Sequence, residues 1–164
     1  MAQSVHRQRD QRQRVLRGGL PGENGDEAIG RSRGGLSTKI HATVDALGNP
    51  TDFALSPGQA HDLEGADALL PGLTAGMLIA DKAFDAQARV IEPLEQAGKT
   101  AVIPPKANRQ DPRLYDRDLY QARHLIENFF AKLKQYRAIA TRYDKRASYF
   151  LAAIHLAASV IWLN

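Results

Sequence analysis

The apolar and polar positions along the chain predict short strands that alternate with helices. Residues 37–44 and 51–55 are strand-forming runs separated by Asp-Ala-Leu-Gly-Asn-Pro, a turn sequence that predicts a β-hairpin. The remaining pattern predicts, in chain order, a helix from about Asp62 to Leu70, a buried strand within 73–80, a helix over 86–97, a buried strand over 100–103, a long amphipathic helix from Leu114 or Leu119 to Tyr136, and a final helix over 147–163. This order is typical of a mixed α/β sheet that opens with an antiparallel hairpin.

Several polar residues have local structural interpretations. Asp85 fits the N-cap of the helix that starts after it, and Gly98 fits the position just past the end of that helix. Asp45 lies in the hairpin turn, where an Asx-type turn explains it without a metal. His61–Asp62 fits a turn and helix cap better than a metal site, and His41 is expected to pack within the hairpin.

The two ends of the chain differ from its middle. Residues 1–35 are rich in arginine and glycine and have no lasting apolar period, so we expect a basic arm or loop there, with one short helix around Arg12–Leu16. The folded domain is then expected over 36–164. The last helix is mostly apolar but contains His155 and is shorter than the about 20 residues that span a bilayer, which favours packing in the core over insertion in a membrane.

Composition and charge narrow the function classes. The 164 residues include no cysteine, which excludes a disulfide framework, a thiolate zinc site and a cysteine nucleophile. The N-terminus has no apolar segment of the kind a secretory signal needs, so we expect a cytoplasmic protein. Residues 1–39 carry 8 basic and 4 acidic side chains, residues 40–104 carry 3 and 9, and residues 105–164 carry 11 and 5. Basic ends suit a polyanion and an acidic middle suits a cation, although an unevenly charged surface has the same composition.

One polar stripe on the long helix mixes charges. Tyr120, Arg123, Glu127 and Lys134 follow one another at spacings of 3, 4 and 7 residues. At 100° per residue they form a stripe roughly 60° wide, opposite an apolar face between residues 125 and 133. Helix geometry alone favours an ordinary solvated face with an Arg123–Glu127 ion pair.

Asp81 is the second candidate for chemistry, because it stands at the carboxyl end of the predicted strand Met-Leu-Ile-Ala. Groups at the carboxyl ends of strands in an open α/β sheet face the functional crevice, where a carboxylate can hold a divalent cation. Asp81 is equally able to start the turn that follows the strand.

These motifs together resemble a known family. The stretches that carry the likeness are Gly30-Arg-Ser-Arg-Gly-Gly-Leu-Ser-Thr-Lys-Ile-His, Pro57-Gly-Gln-Ala-His-Asp, Leu78-Ile-Ala-Asp-Lys-Ala-Phe-Asp, and Tyr120-x-x-Arg123-x-x-x-Glu127-x-x-x-x-x-x-Lys134 followed by Ala140-Thr-Arg-Tyr-Asp-Lys. From about residue 28 to the end, the chain resembles the catalytic half of DDE insertion-sequence transposases with a Tyr-Arg-Glu-Lys signature, in particular the IS4-like insertion-sequence-five family.

The resemblance implies an RNase H-like fold and metal-dependent DNA cleavage and strand transfer at insertion-sequence ends. Asp81 matches the family's second acidic residue and Glu127 its third, and in the complete site such acids hold two Mg²⁺ or Mn²⁺ ions. The matching positions Tyr120, Arg123 and Lys134 are expected to face DNA near the scissile phosphate. Arg31, Arg33 and Lys39, in the basic first segment, are further candidates for DNA contact. The implied partners are the element ends and target DNA, an oligomer assembled on DNA, and no membrane.

One part of the family pattern has no match. The first acidic residue ends a first strand in the family, and the corresponding place here is Met1-Ala-Gln-Ser-Val, without an Asp. Asp10 and Asp45 are not assigned to this role. We therefore expect the first strand to be missing. Either an upstream reading frame supplies it, or the chain is a remnant. In both cases we expect little activity from the chain alone. The alternative is an inactive DNA-binding fragment that regulates transposition; a host nuclease of similar fold is a weaker interpretation.

Overall fold

A computed structural model describes residues 2–7, 28–32 and 35–163 of the chain, and the side chains of residues 2–7 and 32 are not described. The strands formed by the described residues are β1 (Ala2–Arg7), β2 (Gly30–Ser32), β3 (Gly35–Val44), β4 (Pro50–Pro57), β5 (Met77–Ile79) and β6 (Thr100–Val102). The helices are α1 (Leu63–Leu69), α2 (Glu92–Gln96), α3 (Arg117–Tyr120), α4 (His124–Leu133), α5 (Arg137–Thr141) and α6 (Ala147–Leu163). Short 3₁₀ turns occupy Lys82–Phe84 and Gln121–Arg123, and a π-helical turn over Gln87–Ile91 leads into α2.

The strands form one mixed sheet. β3 lies between β4 and β1 and is antiparallel to both, and β2 pairs with the first three residues of β3. β1 continues the sheet on the other side, where it is parallel to β5, and β5 is parallel to β6. The predicted mixed α/β class and the hairpin of β3 and β4 are confirmed.

The first 35 residues differ from the expected arm or loop in two stretches, because the structure has strands at Ala2–Arg7 and Gly30–Ser32. The expectation of a missing first strand is therefore corrected: β1 lies between β3 and β5. The sequence Ala-Gln-Ser-Val-His-Arg has only a weak apolar alternation, and its place in the sheet comes from backbone pairing with β3, which the residues of β1 do not reveal by themselves. The short helix predicted around Arg12–Leu16 lies outside the described residues.

Two apolar clusters cover the two faces of the sheet. Ile79 belongs to the cluster beneath α4 and α6, whereas its neighbour Leu78 belongs to the cluster beneath α1 and α2. Successive side chains of a strand point to opposite faces, so the three-residue strand β5 contributes to both cores. Asp81 follows this strand after one buried residue, Ala80, which ties its position to the sheet.

The last helix packs on the sheet as predicted. α6 spans the predicted residues and buries Phe150, Ile154, Ala157 and Ala158. Among the described residues, none of the helices combines the length and the apolar character needed to cross a lipid bilayer.

Candidate functional site

Asp81 begins the turn that follows β5. Its carboxylate caps the 3₁₀ turn by accepting a hydrogen bond from the Ala83 backbone N–H at 3.2 Å. The side chain is 40% exposed, so the carboxylate is accessible to solvent although one of its oxygens caps the turn. The interpretation of Asp81 as the start of the turn is confirmed, and its interpretation as a cation ligand at the strand end stays a prediction.

The long predicted helix is present in three segments, α3, a 3₁₀ turn and α4. It begins at Asp116, whose carboxylate accepts the backbone N–H groups of Asp118 and Leu119, each at 2.9 Å. The apolar face of α4 is buried against the sheet through Ile126, Phe129, Phe130 and Leu133. The polar face that carries Glu127 is consequently turned away from the core.

Arg123 connects the two candidate acids. Its Nη1 lies 3.6 Å from Asp81 Oδ2, and its Nη2 donates to Glu127 Oε1 at 2.5 Å. The guanidinium is 26% exposed, and Glu127 is 53% exposed. Asp81 and Glu127, far apart in sequence and on different elements, therefore both lie within 4 Å of one guanidinium. Their assignment as metal ligands stays a prediction.

Tyr120 adds an aromatic side chain to this group. The Arg123 Cζ atom lies 5.8 Å from the centroid of the Tyr120 ring. Burial raises the pKa of the Tyr120 hydroxyl, the charges of Asp81 and Glu127 raise it further, and Arg123 opposes them. The phenol is therefore protonated at neutral pH and is available as a hydrogen-bond donor.

The donor chemistry of the pair suits a hard cation. Carboxylate oxygens are the ligands that Mg²⁺ prefers, and both acids are accessible to solvent. Within the described part of the chain, no three histidine, cysteine or acidic side chains converge to hold a metal. Asp81 and Glu127 are therefore two residues that could supply oxygen ligands to such a cation.

The other candidate DNA contacts lie in different surroundings. Lys134 is exposed at the end of α4, about 10 Å along the helix axis from Glu127 at 1.5 Å per residue. Arg31 is exposed on β2, and Arg33 lies outside the described residues. Lys39 is different from the expectation: its side chain is 5% exposed, and its ammonium donates to the Ala60 carbonyl and pairs with the Asp62 carboxylate. A buried, paired ammonium does not face DNA, so Lys39 is removed from the candidate surface.

The local interpretations of the turn residues are supported. His41 packs within the hairpin at 1% exposure, with Nε2 2.7 Å from Ser56 Oγ, and burial lowers the pKa of its imidazole to about 4. Asp45 accepts the backbone N–H groups of Leu47 at 2.8 Å and Asn49 at 2.9 Å, which is the expected Asx-type turn. The His61 ring accepts the Leu63 N–H at 3.2 Å in the turn before α1, whereas the Asp62 carboxylate makes no cap hydrogen bond and pairs with Lys39 instead.

The prediction that Asp85 caps the next helix is wrong. Its carboxylate is buried and accepts hydrogen bonds from the Lys106 backbone N–H at 2.8 Å, from Arg109 Nη1, and from Arg113 Nη2 at 3.2 Å. Burial acts to raise the pKa of Asp85, but these hydrogen bonds and the two guanidinium charges outweigh it and lower the pKa. Sequence reasoning missed this cluster; the one available signal was three basic residues spaced by three and four positions after Pro104–Pro105.

Comparison with known proteins identifies the family of the chain. The Transposase DDE domain family matches residues 5–162 of the chain. A Brucella ovis protein, named as a transposase for insertion sequence element IS6501, is 41% identical over 130 residues, which cover 79% of this chain and all of that relative. No solved structure matches the chain. The family match extends over nearly the whole chain, including both acids bridged by Arg123, and the chain therefore belongs to the Transposase DDE domain family.

Proposed function

We propose that the chain takes part in metal-dependent cleavage and transfer of DNA strands at the ends of an insertion sequence. Membership in the transposase family supports DNA transposition in general. The observation that carries the finer proposal is the convergence of Asp81 and Glu127 on the guanidinium of Arg123. Within the family we place the chain with the IS4-like insertion-sequence-five group, on the spacing of Tyr120, Arg123, Glu127 and Lys134.

The fold supports this placement. Three antiparallel strands in the order β4, β3 and β1 are followed by the parallel strands β5 and β6, with helices on both faces. We interpret this sheet as RNase H-like. In such a sheet the end of the parallel strand that neighbours the first strand carries an acid of the site, which is where Asp81 stands.

The residues of the site have separate roles in the proposed reaction. Asp81 and Glu127 would hold Mg²⁺ or Mn²⁺, which when bound helps to activate the attacking hydroxyl and stabilises the leaving oxygen. Arg123 has N–H groups that match a phosphate in paired geometry, and the protonated Tyr120 hydroxyl offers one more donor. Lys134 lies further along the same helix and suits the DNA backbone beside the reacting phosphate.

Two carboxylates hold a metal pair less well than the three acids of a complete family site. We therefore propose that this chain alone has low strand-transfer activity, and that a third acid comes from another polypeptide in an oligomer on DNA. The basic residues Arg31 and Lys134 are exposed and remain available for DNA contact.

A nicking assay tests the metal assignment. Purified chain is incubated with duplex DNA that carries the terminal inverted repeats, with Mn²⁺ or with a chelator. We expect slow nicking that needs Mn²⁺ and is lost in Asp81→Asn and Glu127→Gln, while Glu95→Gln, an exposed acid on α2, keeps it. Nicking that persists in the first two variants would refute the assignment, and fast nicking that vanishes in Glu127→Gln would show that further ligands contribute.

A second function, regulation by DNA binding without cleavage, is favoured by the presence of only two converging acids among the described residues. Binding is measured separately from nicking, as the dependence of affinity on salt concentration. Salt-sensitive binding without metal-dependent nicking supports the regulator. Each of the variants Arg31→Ala and Lys134→Ala is then expected to lower the salt slope by about one counterion.

A further inference from the structure

We propose that Arg123 is a built-in counter-ion that keeps the acid pair closed to divalent cations until its guanidinium moves away. The proposal rests on the proposed metal role of Asp81 and Glu127. It adds a control step to that site: metal and guanidinium compete for the same carboxylate oxygens.

Arg123 lies against one oxygen of each acid, although both side chains are partly exposed. On Asp81, Oδ1 accepts the Ala83 N–H at 3.2 Å and Oδ2 lies 3.6 Å from Arg123 Nη1. On Glu127, Oε1 accepts Arg123 Nη2 at 2.5 Å. One planar guanidinium thus reaches both acids at once, with its Cζ atom 5.8 Å from the Tyr120 ring centroid.

Arginine is suited to such a role because its charge is permanent. The guanidinium does not lose its proton in proteins, so the contact is released only by movement of the side chain and not by a change of pH near neutrality. Two carboxylates held near each other without a cation repel one another, and Arg123 relieves that repulsion in the metal-free protein. A bound divalent cation relieves the same repulsion. The contact with Arg123 therefore lowers the affinity of the acid pair for the divalent cation, and the divalent cation weakens the contact with Arg123.

The competition has a direct relation to DNA. Arg123 is partly exposed at 26%, and a phosphate offers it a paired acceptor that competes with the carboxylates. A phosphate that draws the guanidinium away leaves Asp81 and Glu127 open to a cation. Metal and phosphate are then expected to favour each other's binding, by the reciprocity of linked equilibria.

The test measures Mn²⁺ binding by electron paramagnetic resonance and by calorimetry, without DNA, on the full chain. Arg123→Gln is compared with wild type and with Arg117→Gln, a matched loss of one charge from an exposed arginine on α3. We expect about tenfold tighter Mn²⁺ binding in Arg123→Gln, the size of one exposed charge contact, and no comparable gain in Arg117→Gln. In chelator, Arg123→Gln is expected to melt at a lower temperature than wild type and to recover when Mn²⁺ is added.

Further variants separate the two levels of the proposal. Arg123→Lys, whose compact ammonium cannot bridge both acids as the guanidinium does, is expected to bind Mn²⁺ with intermediate affinity, and it also serves if the glutamine variant does not fold. Equal affinities in wild type, Arg123→Lys and Arg123→Gln would overturn the counter-ion role. If Arg123→Gln gains affinity and the further change Glu127→Gln leaves that affinity intact, the metal assignment itself is overturned and the proposed function fails with it.

Discussion

Acidification should destabilise the fold through the buried imidazole of His41. The ring is 1% exposed, and its Nε2 contacts Ser56 Oγ while burial lowers its pKa from 6.5 to about 4. The nearby Asp62 charge raises the pKa and the Lys39 charge lowers it, both less than burial does. The unfolded chain therefore takes up a proton at a higher pH than the folded chain does.

The sign and size follow from linkage. Above pH 6.5 both states hold a neutral imidazole and no stability is lost. Between 6.5 and about 4 the unfolded state binds more protons, so the free energy of unfolding falls by up to about 1.4 kcal/mol per pH unit, or about 3 kcal/mol in all. Below about 4 this contribution is constant.

The assay is urea denaturation followed by circular dichroism from pH 8 to 4, in wild type and in His41→Gln. The variant loses the titrating group and keeps a polar partner for Ser56. Its own lower stability does not affect the test, because what is compared is how the free energy of unfolding changes with pH in each protein. We expect the stability of wild type to fall by about 3 kcal/mol more than that of the variant over this range. Parallel curves, or an imidazole that titrates near 6.5 in NMR spectra of the folded protein, would refute the reasoning.

Other substitutions test the packing around the site, each by urea denaturation at neutral pH. Gly65→Ala is expected to lower the free energy of unfolding by about 1–3 kcal/mol, because the added Cβ would lie 2.1 Å from the buried His41 imidazole. In the control Gly76→Ala the added Cβ meets nothing within 4 Å, so the free energy of unfolding should hardly change. Equal effects of the two substitutions would contradict the contact. Asp85→Asn leaves two guanidinium groups without their buried partner and is expected to cost about 3–5 kcal/mol, while Asp67→Asn removes an exposed ion pair and should change nothing measurable. Asp45→Ala removes the acceptor of the hairpin turn and should cost about 1–2 kcal/mol; no loss would show that the turn forms without it.

The parts of the fold that depend on local pattern could be predicted from the sequence. The hairpin of β3 and β4 follows from two strand-forming runs and a strong turn between them, and α6 follows from one continuous apolar segment. The Gly98 position after α2 was also predictable, because its φ of +67° is a conformation that glycine adopts without strain.

The parts that depend on distant partners could not be predicted. β1 has a weak pattern of its own and owes its place to pairing with β3 and β5. Asp85 was taken for a local cap because its partners lie 21 to 28 residues further along the chain. Lys39 was counted as a surface charge because composition does not report burial.

The residues of the candidate site could be predicted from the sequence, but the contact of Arg123 with both acids could not. Helix geometry placed Arg123 and Glu127 on one stripe, and the strand pattern placed Asp81 at a strand end. The contact of one guanidinium with both acids depends on how α4 packs across the sheet. Such tertiary packing does not follow from the local sequence pattern. The 3₁₀ turn that carries Arg123 is not predicted either, because the sequence pattern of this segment is that of one continuous α-helix.

One three-residue turn connects two acids that lie in different surroundings. Asp81 stands at the start of Lys82–Phe84 and faces the solvent, while Asp85 stands at its end and anchors the segment that contains Lys106 and Arg109. The backbone of one short turn therefore separates the carboxylate near Arg123 from the carboxylate that holds the basic segment. The position of Asp81 and the anchoring of that segment depend on the same three residues.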